Sequence, residues 1–139
     1  MHLLKKISLG VMVVGYMVAG INHFVSAPFY LKIIPPYMPL PHLLNVVAGC
    51  CEIGFALLLI PAKTRVWAAW GIVLLLIVFI PVHVQMVIDA PFNIGSLSVG
   101  IWLAWIRLVI VQPLLIWWAW WHTTTESKKS KIILSNKTE

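Results

Sequence analysis

Four long stretches of this chain are apolar on nearly every side, and short polar or proline-rich segments separate them. Runs such as Gly71-Ile72-Val73-Leu74-Leu75-Leu76-Ile77-Val78-Phe79-Ile80 lack the period-two alternation of half-buried strands or barrel staves. A bilayer core about 30 Å thick needs roughly 20 apolar residues per helix at 1.5 Å rise per residue. The pattern therefore predicts four spanning helices, at about residues 7–26, 43–60, 66–88 and 102–122. The expected fold class is all-α: an integral four-helix transmembrane bundle filling residues 1–125 as one domain, with a basic, disordered tail over 126–139.

Small and polar residues interrupt the apolar pattern at helical spacing. Gly15, Ala19, Asn22 and Ser26 form one stripe on the first helix, and Asn45, Gly49, Glu52 and Ala56 form another on the second. Small residues let helices approach closely in lipid, so both stripes are expected to face the bundle interior. The connection over 27–42 holds five of the nine prolines, stays apolar and reads as a stiff cap over one mouth of the bundle, anchored by Tyr30 and Tyr37. Pro61-Ala62-Lys63-Thr64-Arg65 is a tight turn, and Pro81 should bend the third helix just before His83 by freeing the Ile77 carbonyl. Tryptophans at both ends of the fourth helix, Trp102 and Trp105 against Trp117 to Trp121, match two interfacial belts.

With 139 residues, 61% hydrophobic and only 10% charged, the chain lies outside the soluble range. Its net charge of +6 is distributed for a membrane and not for nucleic acid. Lys5, Lys6, Lys63, Arg65 and the tail lysines fall on one side of a four-pass chain, against Lys32 and Arg107 on the other. The positive-inside rule then puts both termini in the cytoplasm of a bacterial inner membrane, with the lipid bilayer as the first partner. Lys5-Lys6 before an apolar run also fits a signal peptide, but Pro28 after Val25-Ser26-Ala27 is an awkward cleavage neighbour, so the segment is expected to be retained. Cys50 and Cys51 point about 100° apart on a helix and form no CxxC, so a built-in dithiol centre is not expected. Apolar outer faces belong in lipid, so they say nothing of oligomeric state.

Glu52, His23, His83 and Arg107 are the ionisable side chains inside this apolar background. A charge in hydrocarbon costs at least about 3 kcal/mol, which makes such residues paired and often functional. Counted from the helix ends on the side away from the termini, His23 lies about 5 Å deep, His83 and Arg107 about 7 to 8 Å, and Glu52 about 13 Å. An arginine reaching inward can meet Glu52 in a bidentate pair, with Asn22, Asn45, Gln85 and Gln112 supplying hydrogen bonds. Two readings stay open: an ion pair that only fixes helix register, or a site whose histidines move protons near neutral pH. His23, His83 and Glu52 are acceptable metal ligands, but they lack a short ligand spacing and Arg107 would repel a cation, so no metal is expected. Neither a nucleophile elbow nor a Cys-His arrangement is recognisable.

Gly20-Ile21-Asn22-His23-Phe24, Ile34-Pro35-Pro36-Tyr37, Gly49-Cys50-Cys51-Glu52-Ile53-Gly54, Pro61-Ala62-Lys63-Thr64-Arg65, Trp70-Gly71, Phe79-Ile80-Pro81 and Arg107-Leu108 follow one another along the chain. In this order they resemble the DoxX-like family of small four-helix bacterial membrane proteins, over almost everything before the tail. That family is similar to the membrane subunit DoxD of a thiosulfate:quinone oxidoreductase, and some members are associated with thiol or oxidative-stress systems. The resemblance places the family's His, Glu and Arg on His23, Glu52 and Arg107. It departs in the fourth helix, where Val109 stands in place of a proline and Gln112 follows Arg107 by five residues, a rotation of about 140° on an α-helix. The implied function is a subunit or accessory of a quinone- or thiol-linked membrane redox system, with Glu52, Arg107, His23 and His83 as its chemistry. Asn22, Tyr37, Gln85 and Gln112 would contact a quinone, no cofactor is built in, and a redox partner subunit would complete the enzyme. The alternatives are a non-catalytic binding or transport protein for a small lipophilic ligand, and an assembly subunit whose charges only lock the fold.

Overall fold

The computed structural model describes residues 2–94 and 97–124. Helix α1 (Leu3–Val25) leads through a short helix α2 (Ala27–Ile33) to α3 (Pro41–Leu59). After the tight turn, α4 (Arg65–Val78) and α5 (Ile80–Asp89) are followed by a hairpin of β1 (Phe92–Ile94) and β2 (Leu97–Val99). The last span is α6 (Ile101–Ile106), a π-helical turn (Arg107–Val111) and α7 (Gln112–Trp121). Among the described residues four helices are long and apolar enough to cross a membrane: α1, α3, α4 with α5, and α6 through α7. The predicted tail lies outside the described residues.

α1 begins ahead of Lys5 because that lysine does not need to be left in solvent: its Nζ donates to the Thr124 carbonyl at 2.8 Å. The proline-rich connection, expected as an irregular cap, contains α2. Pro28 falls in the first turn, where a missing N–H costs no helical bond. Leu40 takes a left-handed φ of 53° to turn the chain into Pro41 and α3. The connection between α5 and the last span forms the hairpin with Phe92 opposite Val99 and Asn93 opposite Ser98. Its alternation explains the strands: Phe92 and Val99 join Ile33, Met86 and Ala104 in a small apolar cluster, while Asn93 and Ser98 are exposed.

α1 packs along α3, α3 on α4, and α4 on α7. The face that α1 buries is Leu9, Met12, Tyr16, Gly20 and His23, not the predicted stripe of Gly15, Ala19, Asn22 and Ser26. Gly20 decides this, because a Cβ there would lie 2.8 Å from the Gly49 carbonyl oxygen, so the two backbones cross where neither residue has a side chain. Asn45, Gly49, Glu52 and Ala56 of α3 are all buried. The main core, around Met12, Leu59, Ala69, Ile72 and Ala119, fills the half of the bundle nearest the termini.

The third span breaks at Phe79, directly before Ile80-Pro81. The fourth span widens into its π turn just before Pro113, which offers no N–H to the preceding turn; the Gln112 N–H bonds to the Arg107 carbonyl five residues back.

Candidate functional site

Glu52, His23, His83 and Arg107 come from four different spans and line one cavity of about 450 Å³. It lies in the half of the bundle away from the termini, beneath α2. Tyr16, Tyr30 and Asn45 share its lining with apolar side chains such as Leu75, Val82 and Leu115.

His23, in the last turn of α1, is held by Asn45 of α3. The Asn45 Nδ2 donates to the His23 carbonyl at 2.9 Å, and the Asn45 Oδ1 accepts from the His23 Nδ1 at 2.8 Å. A backbone carbonyl can only accept, so the amide's orientation is determined and the His23 Nδ1 carries a hydrogen. The other ring nitrogen, Nε2, faces the Glu52 Oε2 at 3.4 Å. A further proton, on either the imidazole or the carboxyl, would make this approach attractive. The approach is long, and the Oε2 makes no hydrogen bond.

Arg107 departs from its expected role. Its Nη1 donates to the Gln112 Oε1 at 2.7 Å, and among the described residues the close ionisable neighbour of the Glu52 carboxyl is His23. The expected bidentate Arg107–Glu52 pair is therefore absent, although Arg107 remains the positive charge acting on Glu52 across the cavity. The π turn is the cause. An α-helix would turn Gln112 well away from Arg107, whereas the five-residue hydrogen-bond register brings it back beneath the guanidinium. Gln112 is 1% exposed and donates onward through Nε2 to the Leu76 carbonyl at 2.5 Å, so it fixes Arg107 from beside the cavity.

The other expected ligand contacts lie elsewhere. Asn22 donates through Nδ2 to the Tyr30 hydroxyl at 3.0 Å and accepts from Ser26 at 2.9 Å. Gln85 donates to Asp89 at 2.9 Å, and Tyr37 is 70% exposed. None of the three lines the cavity.

Residues 12–123 match the model of a family described as a domain of unknown function, DUF8561. The chain belongs to that family. No curated protein and no solved structure matches it. The DUF8561 match spans every residue that lines the cavity, from Met12 to Trp118.

Two aromatic residues that the residue pattern does not mark as site groups also belong to the cavity. Tyr30 of α2 stacks on the His23 ring with centroids 3.8 Å apart and closes the cavity from above. Burial pushes its phenol above the usual range, while the bond from Asn22 acts the other way. Tyr16 stands four residues before Gly20 and seven before His23, a helical spacing that puts all three on one face. Its hydroxyl is buried without a hydrogen-bond partner, as are the Glu52 Oε2 and both ring nitrogens of His83. A neutral imidazole has one N–H and one lone pair, so His83 alone presents an unmet donor and an unmet acceptor. Buried polar groups are nearly always paired, so this cluster is equipped for a partner from outside the chain. Among the described residues no group of His, Cys, Asp and Glu is arranged to hold a metal ion.

Proposed function

We propose that this protein is a multi-pass membrane protein of the bacterial inner membrane whose cavity binds a small lipophilic molecule with a polar, quinone-like head, as a subunit or accessory of a membrane redox system. The observation that carries the reading is the convergence of buried polar atoms of Tyr16, Glu52 and His83 that make no hydrogen bond on one mostly apolar cavity. The resemblance to DoxX-like membrane subunits supplies the redox context, and the positive charge near the termini supports a cytoplasmic location for both ends.

The residues fit such a head. The Tyr16 hydroxyl and the Arg107 guanidinium are donors suited to a carbonyl oxygen, and His83 can donate to one oxygen or accept from a hydroxyl. A bound quinone would supply the electron-carrying chemistry that the side chains lack. The chain's own part is to orient the head, exclude water beneath α2, and keep His23 and Glu52 beside it. A second reading, a non-catalytic carrier of a lipophilic ligand, is favoured by the apolar walls around Leu75, Val82 and Leu115. It shares the binding step and lacks electron transfer.

The test is saturable binding of a decyl-tailed benzoquinone to the protein in lipid nanodiscs. Hydrogen bonds to charged groups are worth about 1.5–3 kcal/mol, so Glu52→Gln is expected to weaken binding by about tenfold or more while helicity is kept. Unchanged affinity in a folded Glu52→Gln protein removes the carboxylate from the site. Binding without quinol-linked electron transfer to any co-purified partner selects the carrier reading.

A further inference from the structure

Resting on that binding reading, we infer that the ligand is a tailed amphiphile whose apolar chain leaves the cavity sideways, through the seam between α3 and the α4–α5 break at Val47 and Val78, into the acyl region of the bilayer.

The packing of the spans creates the seam. Near the termini the helices close on one another around the main core, and the Trp118 Nε1 ties α7 to α1 by donating to the Ser8 Oγ at 2.7 Å. At the other end the bundle separates into two pairs. α1 stays packed on α3, while α5 packs on α6 and the π turn; α2 lies across the gap and touches α1, α3 and α5. The kink at Phe79 is what turns α5 away from α3, because the proline that follows cannot continue the ladder of α4.

The way upward is blocked. Tyr30 stacks on His23, Ile33 is buried in the cluster with Met86 and Val99, and the Lys32 Nζ donates to the Asn93 carbonyl of the hairpin. The way sideways is not blocked. Leu44, Val47 and Val78 line the cavity and are also 39%, 49% and 56% exposed, so the wall they form is the edge of an opening onto the lipid-facing surface. At the inner end of the same space lie polar atoms of Glu52 and His83 that make no hydrogen bond, in residues only 6% and 7% exposed. A polar centre reached through an apolar, lipid-facing slot suits a molecule with a hydrogen-bonding head and a hydrocarbon tail. A head alone would satisfy the centre and leave the slot unused.

The experiment compares two probes in nanodiscs, a decyl-tailed benzoquinone and the same ring without the tail, on the wild type and on Val47→Trp, Val78→Trp and Val14→Trp. Val14 is 62% exposed on the outer face of α1 and does not line the cavity, so it controls for a bulky residue at the lipid surface. The expected result is about a tenfold loss of affinity for the tailed probe in Val47→Trp and Val78→Trp, no change in Val14→Trp, and no change for the tailless ring in any variant. Should either plug fail to fold, as judged by helicity and monodispersity, Val47→Phe and Val78→Phe give the same comparison with less bulk. Equal affinity of the wild type for both probes, or plugs without effect on the tailed one, overturns the tail route. Failure of the wild type to bind either probe overturns the quinone reading itself, a result distinct from the other two.

Discussion

Where the hydrogen atoms point decides what Glu52 can do. Asn45 holds His23 with both ends of its amide, which leaves Nε2 as the only ring atom free to share a proton with the carboxyl. Replacing Asn45 by Ala strands a buried imidazole donor and a carbonyl at once. The expected cost is about 1–3 kcal/mol of stability, seen as a lower midpoint in thermal unfolding in detergent, with Asn45→Gln no substitute because its reach differs. A second histidine offers a pH test outside the spans. The His122 Nε2 is hydrogen-bonded to the Ser8 Oγ at 3.0 Å, and that oxygen also accepts from the Trp118 Nε1 at 2.7 Å. Burial, and then the charges of Lys5 and Arg65, hold its imidazole below the ordinary value of 6.5. Neutral His122 therefore stabilises the fold fully above that value; as the pH falls through it the unfolded chain takes up the proton first, and stability is lost until the folded value is passed. Unfolding midpoints should drop between about pH 7 and pH 5 in the wild type, and His122→Gln should flatten that slope. The charged members of the cavity were legible because charge stands out in an apolar run. Tyr16 was not, since an aromatic among valines reads as ordinary core until its hydroxyl is seen to lack a partner.

At the scale of the element, two backbone features set the site, and only one was readable. Pro81 announces a bend, and the third span does break beside it. The π turn was hidden: an α-helical wheel separates Arg107 from Gln112, and nothing in the residue types says that the ladder slips by one before Pro113. The same limit applies to the α1 stripe. Small residues mark close packing, but Gly15 and Gly20 are equally small, and only the partner surface on α3 selects Gly20; a Cβ at Gly15 would have no neighbour within 4 Å. The contrast gives a sharp test. At Gly49 an added Cβ would lie 2.8 Å from the His23 Cβ and 3.0 Å from the Gly20 carbonyl, so Gly49→Ala must part α1 from α3. It is expected to destabilise by about 1–3 kcal/mol, whereas Gly15→Ala should be neutral or slightly stabilising through helix propensity. Thermal unfolding of the two variants side by side checks this; equal midpoints would mean that the helices cross with room for a methyl group.

For the molecule as a whole, the number and approximate ends of the spans followed from the length of the apolar runs, because a bilayer fixes how long such a run must be. The separation of the bundle into two helix pairs did not, since it arises from the Phe79 break and from α2 lying between the pairs. Orientation rests on charge alone. Lys5, Lys6, Lys63 and Arg65 gather at the end carrying the termini, and Arg65 is fixed there by donating to the Leu59 and Ile60 carbonyls at the end of α3. At the opposite end Lys32 bonds to the hairpin, and Arg107 is turned inward to Gln112. Positive residues resist translocation, so the capped cavity should open toward the outer leaflet. With Cys50 and Cys51 replaced by Ala, single cysteines at Tyr37 and at Lys63 report on the two ends, because Tyr37 is exposed beyond the cavity and Lys63 is exposed in the α3–α4 turn. A membrane-impermeant maleimide should label Tyr37→Cys in intact cells and Lys63→Cys only after the membrane is opened. The reverse pattern would put His23 and Glu52 nearer the cytoplasm, and any proton exchanged at the site would then belong to that compartment.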